Sequence, residues 1–126
     1  MRLWLATRPT ATPGVAPTNS VAPSITGSPT VGVALSANAG SWDGTPTPVV
    51  TAGEWDRSSN PSSGAYTFLQ TTSSDYIVQA ADIGKYITVL ITATNPSGSA
   101  SARSTSVGPV VDSVSPPGPV SPPTIS

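Results

Sequence analysis

The feature that most constrains the fold is a series of short alternating apolar and polar runs, each closed by glycine or proline. In 30–40 every second residue from Val31 to Ala37 is apolar, which is the period of a strand with one buried face. Residues 87–93 repeat the pattern. No segment of useful length has helical period, so we expect an all-β chain.

About seven short strands are predicted, with turns spaced as β-sandwiches require. The predicted strands are 21–27 (an edge strand, because of Pro23), 30–40, 49–57, 65–70, 76–78, 87–93 and 99–111. Turns or loops are predicted at 41–48, 58–64, 71–75 and 95–98, and a helical turn at 79–84. The predicted core contains Val33, Leu35, Trp55, Ile87, Val89 and Ile91.

Proline divides the chain into a centre and two arms. Of the fifteen prolines, many fall near the two ends, where they favour extended chain over helix. We therefore expect an N-terminal arm over 1–18, one sandwich over 19–111 and a Pro-rich tail over 112–126. The arm carries an apolar group with a basic flank, Arg2, Leu3, Trp4 and Leu5. It is either chance apolar content or an anchor that docks on a partner or folds back, and we prefer the anchor.

Composition excludes several classes of function. The chain has no histidine and no cysteine, so the commonest bases, metal ligands and thiol nucleophiles are missing. Five basic and six acidic residues form no cluster, which argues against nucleic-acid or membrane binding. The apolar run at 3–6 is shorter than a secretory signal needs. We therefore expect a product that either stays in the cytoplasm where it is made or is released by lysis.

The ordered motifs resemble the immunoglobulin-like modules of bacteria and phages. The resemblance covers 19–111 and rests on groups of residues in order. These are Asn19, Pro23, Ile25 and Gly27; Val31, Gly32, Leu35 and Ala37; Gly40, Trp42, Gly44, Pro46 and Pro48; Trp55 and Arg57; and Ala81, Asp82, Gly84, Val89, Ile91, Ala93, Asn95, Gly98, Ser99 and Ala100. It implies an Ig-like antiparallel β-sandwich of about seven strands.

The sequence departs from that pattern around Gly53, and the role of Tyr86 stays open. The family usually has an aromatic residue two positions before the tryptophan of its third strand, where this chain has Gly53, and the segment 53–76 is longer than usual. Both suggest a specialised single copy. In the corner 82–86, Tyr86 either returns its hydroxyl to the backbone or points outward, because Ile87 and Val89 take the inward positions.

No catalytic, cofactor or metal site is predicted. Asp43, Glu54 and Asp56 could approach one another near one strand, but the Asp-x-Asp-x-Asp-Gly spacing of a calcium loop is absent. We interpret them as solvated surface carboxylates. The aromatic residues to test for sugar stacking are Trp42, Tyr66, Phe68 and Tyr76, although core or rim packing is the commoner role.

The resemblance implies a non-enzymatic virion protein, a phage capsid decoration or head-fibre protein on the virion surface. The arm would bind the major capsid protein or another virion protein, and the sandwich would aid host attachment by weak binding to cell-surface carbohydrate. Copies could associate on the particle. Two alternatives stay open: a bacterial adhesin or extracellular carbohydrate-binding module, and a component of a phage tail, neck or baseplate. No nucleic acid, membrane or cofactor is expected as a partner.

Overall fold

The computed structural model describes residues 13–61 and 65–113. The predicted anchor, Arg2, Leu3, Trp4 and Leu5, lies outside the described residues, as does most of the predicted tail. The described chain forms an all-β sandwich of antiparallel strands with one short 3-10 turn at Ala80–Asp82. The strands are β1 Val15–Val21, β2 Ser24–Thr26, β3 Ala34–Asn38, β4 Ser41–Thr45, β5 Val49–Ser58, β6 Thr67–Thr71, β7 Tyr76–Ile77, β8 Tyr86–Asn95 and β9 Gly98–Arg103.

The strands form three sheets. The largest has the order β6-β5-β8-β9, a second has the order β2-β3-β7, and β1 pairs with β4. The β8–β9 hairpin forms because 95–98 supplies turn residues and Gly98 takes a positive φ of 151°. This hairpin and the turn at 79–84 agree with the sequence prediction.

The core lies between the four-stranded sheet and the β2-β3-β7 sheet. Trp55 of β5 and Leu35 of β3 are both fully buried. The inward positions of β8, Ile87, Val89 and Ile91, are buried with them. Val33 is a correction to the predicted core, because it precedes β3 in a turn and is only partly buried. Its place is taken by residues from other segments: Tyr76, Val78 and Val110.

Three segment boundaries differ from the predictions. The segment 41–48, predicted as a turn, begins with a strand, because Ser41–Thr45 pairs with β1 to form β4. The predicted arm over 1–18 therefore ends too late, since β1 already begins at Val15. The predicted last strand over 99–111 is broken. β9 ends at Arg103, and Val107, Val110 and Val111 make only isolated bridges to other segments.

The described chain begins and ends at opposite ends of the sandwich. At the end where β8 finishes, the Asn95 side-chain amide donates to the Val15 carbonyl at 2.8 Å. At the end where β8 starts, the Val110 amide donates to the Lys85 carbonyl at 2.9 Å. We call these the Asn95 end and the Lys85 end. Because β8 has ten residues, they lie roughly 30 Å apart at about 3.3 Å per residue.

Candidate binding surface

The outer face of the four-stranded sheet is built from the residues that alternate with the core positions. On β5 and β8 the outward pairs are Asp56 with Thr88, and Glu54 with Leu90. Arg103 of β9 pairs with Leu90 on the far side. On the other side, Phe68 of β6 pairs with Asp56. Strand alternation therefore places two carboxylates, one guanidinium and one phenyl ring on one face.

Arg103 organises the centre of this face. Its Nη1 atom donates to Asp56 Oδ2 at 2.8 Å and to Thr88 Oγ1 at 2.7 Å. Its guanidinium also lies 3.7 Å from the centroid of the Tyr66 ring, which gives a cation–π contact. Asp56 is 1% exposed. The prediction of a solvated carboxylate is therefore wrong for Asp56, because Arg103 and the residues around it exclude water.

The connection between β5 and β6 covers part of the outer face. Tyr66, which precedes the edge strand β6, stacks on a side chain of β9 at the opposite edge. The Ser106 hydroxyl donates to the Pro61 carbonyl at 2.7 Å. The described parts of this connection therefore lie against the β9 side of the sheet, next to the buried Asp56 and Thr88. Pro61 and Tyr66, described residues of the longer segment noted in the sequence, contribute to this cover.

Beyond the cover, the face is open and forms a shallow depression. It has a volume of about 230 Å³ and is lined by Ala52, Gly53, Glu54, Phe68, Thr71, Leu90 and Thr92. Phe68 is 56% exposed, a large exposed fraction for a residue with a phenyl ring. The depression therefore offers one apolar ring, one carboxyl group and neighbouring hydroxyls.

The carboxyl group in the depression, that of Glu54, has a raised pKa. Burial raises the pKa of Glu54 above its usual 4.5, and the charge of Asp56 and a hydrogen bond with it raise that pKa further. Arg103 opposes this shift. Two carboxyl groups two residues apart on one strand face repel each other when both are charged, which raises the pKa of Glu54.

The hydroxyls beside the depression bond to one another across the strands. Thr51 Oγ1 lies 2.9 Å from Thr94 Oγ1, and Thr94 Oγ1 lies 2.8 Å from Ser99 Oγ. Thr92 Oγ1 and Ser101 Oγ are 2.7 Å apart. These pairs stabilise the sheet and leave a flat, uncharged surface. It suits reversible contact with a polar ligand or a protein surface, and it contains no nucleophile paired with a base.

The four aromatic residues selected from the sequence have different roles. Trp42 is half-buried, and its indole N–H donates to the Ala39 carbonyl at 2.9 Å. Tyr76 is buried at 5% exposure, with its ring centroid 5.9 Å from that of Trp55. Only Tyr66 and Phe68 lie on the outer face, and Tyr66 is engaged by Arg103. Phe68 is thus the one of the four that remains open to a ligand.

A buried polar cluster lies at the corner before β8 and is centred on Asp82, with Tyr76 as the tyrosine that bonds to it. The Tyr76 hydroxyl donates to Asp82 Oδ2. Asp82 also accepts from the Gln79 amide at 2.9 Å and pairs with Arg57 at 2.9 Å. Tyr86 is only partly buried and contributes no hydroxyl bond to this cluster. Asp82 is fully buried and its carboxylate bonds to three groups of the fold, so the cluster is structural.

Gly53, the departure from the family pattern, has a steric cause. A Cβ at this position would overlap the Thr72 hydroxyl and lie 3.0 Å from Ile91 Cδ1. The Thr72 amide donates to the Gly53 carbonyl at 3.1 Å. The turn after β6 therefore packs directly on the backbone of β5, where a side chain would otherwise stand. The sequence signalled an unusual position here but not the segment that fills it.

The described residues contain neither a cluster of metal-binding side chains nor a helical membrane span. Within 13–61 and 65–113, no three acidic side chains come close enough together to hold a metal ion. In the same part of the chain, no helix is long and apolar enough to cross a membrane. Comparison of the sequence with protein-family models and with curated proteins, and of the chain with solved structures, finds no match.

Proposed function

We propose that the protein is a non-enzymatic structural protein of a virion surface, of the capsid decoration or head-fibre type. In this proposal the N-terminal arm binds a major capsid protein or another virion protein, and the sandwich projects from the particle. The single observation that carries the proposal is that residues 15 and 110 are fixed at opposite ends of the sandwich. A module built in this way can be held at one end and present the other.

Physical rigidity supports this arrangement. At the Asn95 end, the buried Asn95 side chain bonds to the carbonyls of Val15 and Pro46 at 2.8 and 2.9 Å. Its Oδ1 atom accepts the Ser97 amide at 2.9 Å. One side chain thus connects the start of β1, the 45–48 loop and the β8–β9 turn. Force on the N-terminal arm would be transmitted from β1, through Asn95, to the four-stranded sheet.

The first test is the number of copies of this chain per virion, measured by quantitative mass spectrometry of virions purified from the source lysate. Hundreds of copies would support a decoration protein on the capsid lattice. Six to a few tens of copies would favour a tail, neck or baseplate component instead. Absence from the virions, with recovery in the cell envelope or medium, would contradict the proposal and favour the adhesin alternative.

The second test concerns the arm. Deletion of residues 1–8 leaves β1 and the Asn95 bonds intact, so the sandwich should keep its thermal midpoint. We expect the shortened protein to lose association with virions in co-sedimentation. If association is retained with the normal midpoint, the arm is not the anchor.

Carbohydrate binding is a second candidate role, supported by the exposed Phe68 ring next to Glu54 and Thr71 in the depression. An aromatic ring beside polar groups can stack on the apolar face of a sugar. NMR titration with sugars of the host surface should shift the resonances of the depression, and Phe68→Ala should remove those shifts. Ile77→Ala, an exposed apolar change on β7, is the control.

A further inference from the structure

The two ends of the sandwich differ in charge, and the difference follows from the strand register. Several described residues are charged in the half of the sandwich that runs from Leu90 to the Lys85 end. Arg57 pairs with Ile87 of β8, and Asp82 and Lys85 lie in the corner that leads into β8. Toward the Asn95 end the segments 13–18, 44–53 and 91–102 contain no charged residue. Asp43 of β4, which pairs with Thr18 of β1, is a charged residue of that half.

The Asn95 end is also apolar and exposed. Val49 is 62% exposed, Val15 is 54% exposed and Val50 is 44% exposed. Pro46 and Pro96 are exposed beside them. The Asn95 side chain bonds to the backbone carbonyls of both Val15 and Pro46. Val49 pairs with Thr94, the residue that precedes Asn95. These valines and prolines therefore lie at the same end of the sandwich, around the buried Asn95.

Residues 1–12, which lie outside the described part of the chain, are attached at this same end. Residues 1–12 lead into Pro13, and they contain Leu3, Trp4 and Leu5. The seven residues between Leu5 and Pro13 span at most about 25 Å when extended. A partner surface that binds residues 2–5 is therefore tethered close to the Asn95 end. The tether gives that partner surface a high effective concentration at the Asn95 end.

We propose that the Asn95 end is itself a docking surface and that its occupant is an uncharged, apolar patch on the same virion protein that holds residues 2–5. The proposal rests on the proposed function. It adds that the anchor acts with a second contact made by Val15, Val49, Val50 and the neighbouring prolines. Apolar burial with no charge predicts an association that salt does not weaken.

The test is co-sedimentation of the purified full-length protein with virions that lack this chain. The Val15→Glu/Val49→Glu double variant places two charges on the docking surface. The matched control, Ile83→Glu/Val111→Glu, makes the same change at the Lys85 end, where these side chains are 43% and 52% exposed. We expect the first variant to bind at least about tenfold more weakly and the control to bind like the original protein. Raising NaCl from about 50 mM to about 1 M should leave binding of the original protein unchanged.

Thermal melting of each variant checks that it is folded. If the charged double variant unfolds, the milder Val49→Ser variant replaces it in the binding test, and we expect it to bind about threefold more weakly. A Trp4→Ala variant separates the two proposals. If Trp4→Ala abolishes binding while Val15→Glu/Val49→Glu and Val49→Ser bind normally, the docking surface is refuted and the anchor stands. If the original protein does not bind virions at all, the proposed function fails. If the Asn95-end substitutions instead abolish self-association of the free protein in sedimentation velocity, a second copy covers this end and the proposal is overturned.

Discussion

Replacement of Asp82 by alanine should destabilise the fold strongly, although the residue touches no candidate binding surface. Its carboxylate is fully buried and accepts three hydrogen bonds, from the Tyr76 hydroxyl, the Gln79 amide and Arg57. Removal would leave a buried hydroxyl and a backbone N–H without an acceptor, and would separate Arg57 from its counter-charge. The loss in the free energy of unfolding is the sum of the contributions of these three partners, less the cost of burying the carboxylate.

The buried bond from Tyr76 and the part-buried bond from the Gln79 amide, both to a charged acceptor, contribute about 1.5 kcal/mol each. Arg57 has a side chain that is 25% exposed, so its ion pair adds only about 1 kcal/mol after solvent screening. The carboxylate no longer has to be desolvated, which offsets part of this sum. We therefore expect a loss of about 3 kcal/mol in the free energy of unfolding. That is a large share of the roughly 5–15 kcal/mol of a typical domain, and it corresponds to a midpoint lower by about 15 °C.

Urea unfolding followed by tryptophan fluorescence suits the measurement, since Trp55 is fully buried and lies beside Tyr76. Asp75→Ala, an exposed carboxylate in the preceding turn, is the control and should change stability by less than about 0.5 kcal/mol. Tyr76→Phe alone should cost about 1.5 kcal/mol and become neutral in the Asp82→Ala background. The reasoning is refuted if Asp82→Ala costs less than about 1 kcal/mol at an unchanged denaturant slope, or if the two changes are additive.

Three further predictions concern single positions. Asn95→Ala should cost about 2 kcal/mol, because two carbonyls and one amide lose their partner, and hydrogen exchange should rise in 15–18 but not near 110. Gly53→Ala should cost about 1–2 kcal/mol through overlap with Thr72, and Thr72→Ala should restore most of it in thermal melting. Glu54→Gln should raise the thermal midpoint at pH 7, because the raised pKa of Glu54 means that its charged form destabilises the folded state. That gain should vanish as the pH falls through the raised pKa toward 4.5, and an equal gain at acidic pH would contradict this cause.

Most of the all-β fold follows from local pattern. Alternation in 87–93 predicts the inward face of β8, and that face is buried over Ile87, Val89 and Ile91. The same rule fails at Val33, because the strand does not begin until Ala34 and the preceding residues form a turn. Period alone does not show where pairing begins, since pairing needs a partner that is distant in sequence.

The candidate surface was only partly visible in the sequence. Phe68 was selected as an aromatic residue next to polar loops, and it is exposed. Asp56 was interpreted as a solvated carboxylate, because nothing local to 49–57 indicates that Arg103, 47 residues later, pairs with it. The exposure of a side chain depends on which distant segments pack over it, and composition carries no such information.

The sequence by itself determined the period of the strands, the turns at glycine and proline, and the exclusion of histidine and cysteine chemistry, because these depend on residue types and short spacings. The tertiary structure alone decided that β1 begins within the predicted arm, that Tyr76 and not Tyr86 bonds to Asp82, and that the chain's described ends lie at opposite ends of the sandwich. The physical reason is that these features come from register and packing between segments 6 to 80 residues apart. Such contacts form only when the whole core is buried together.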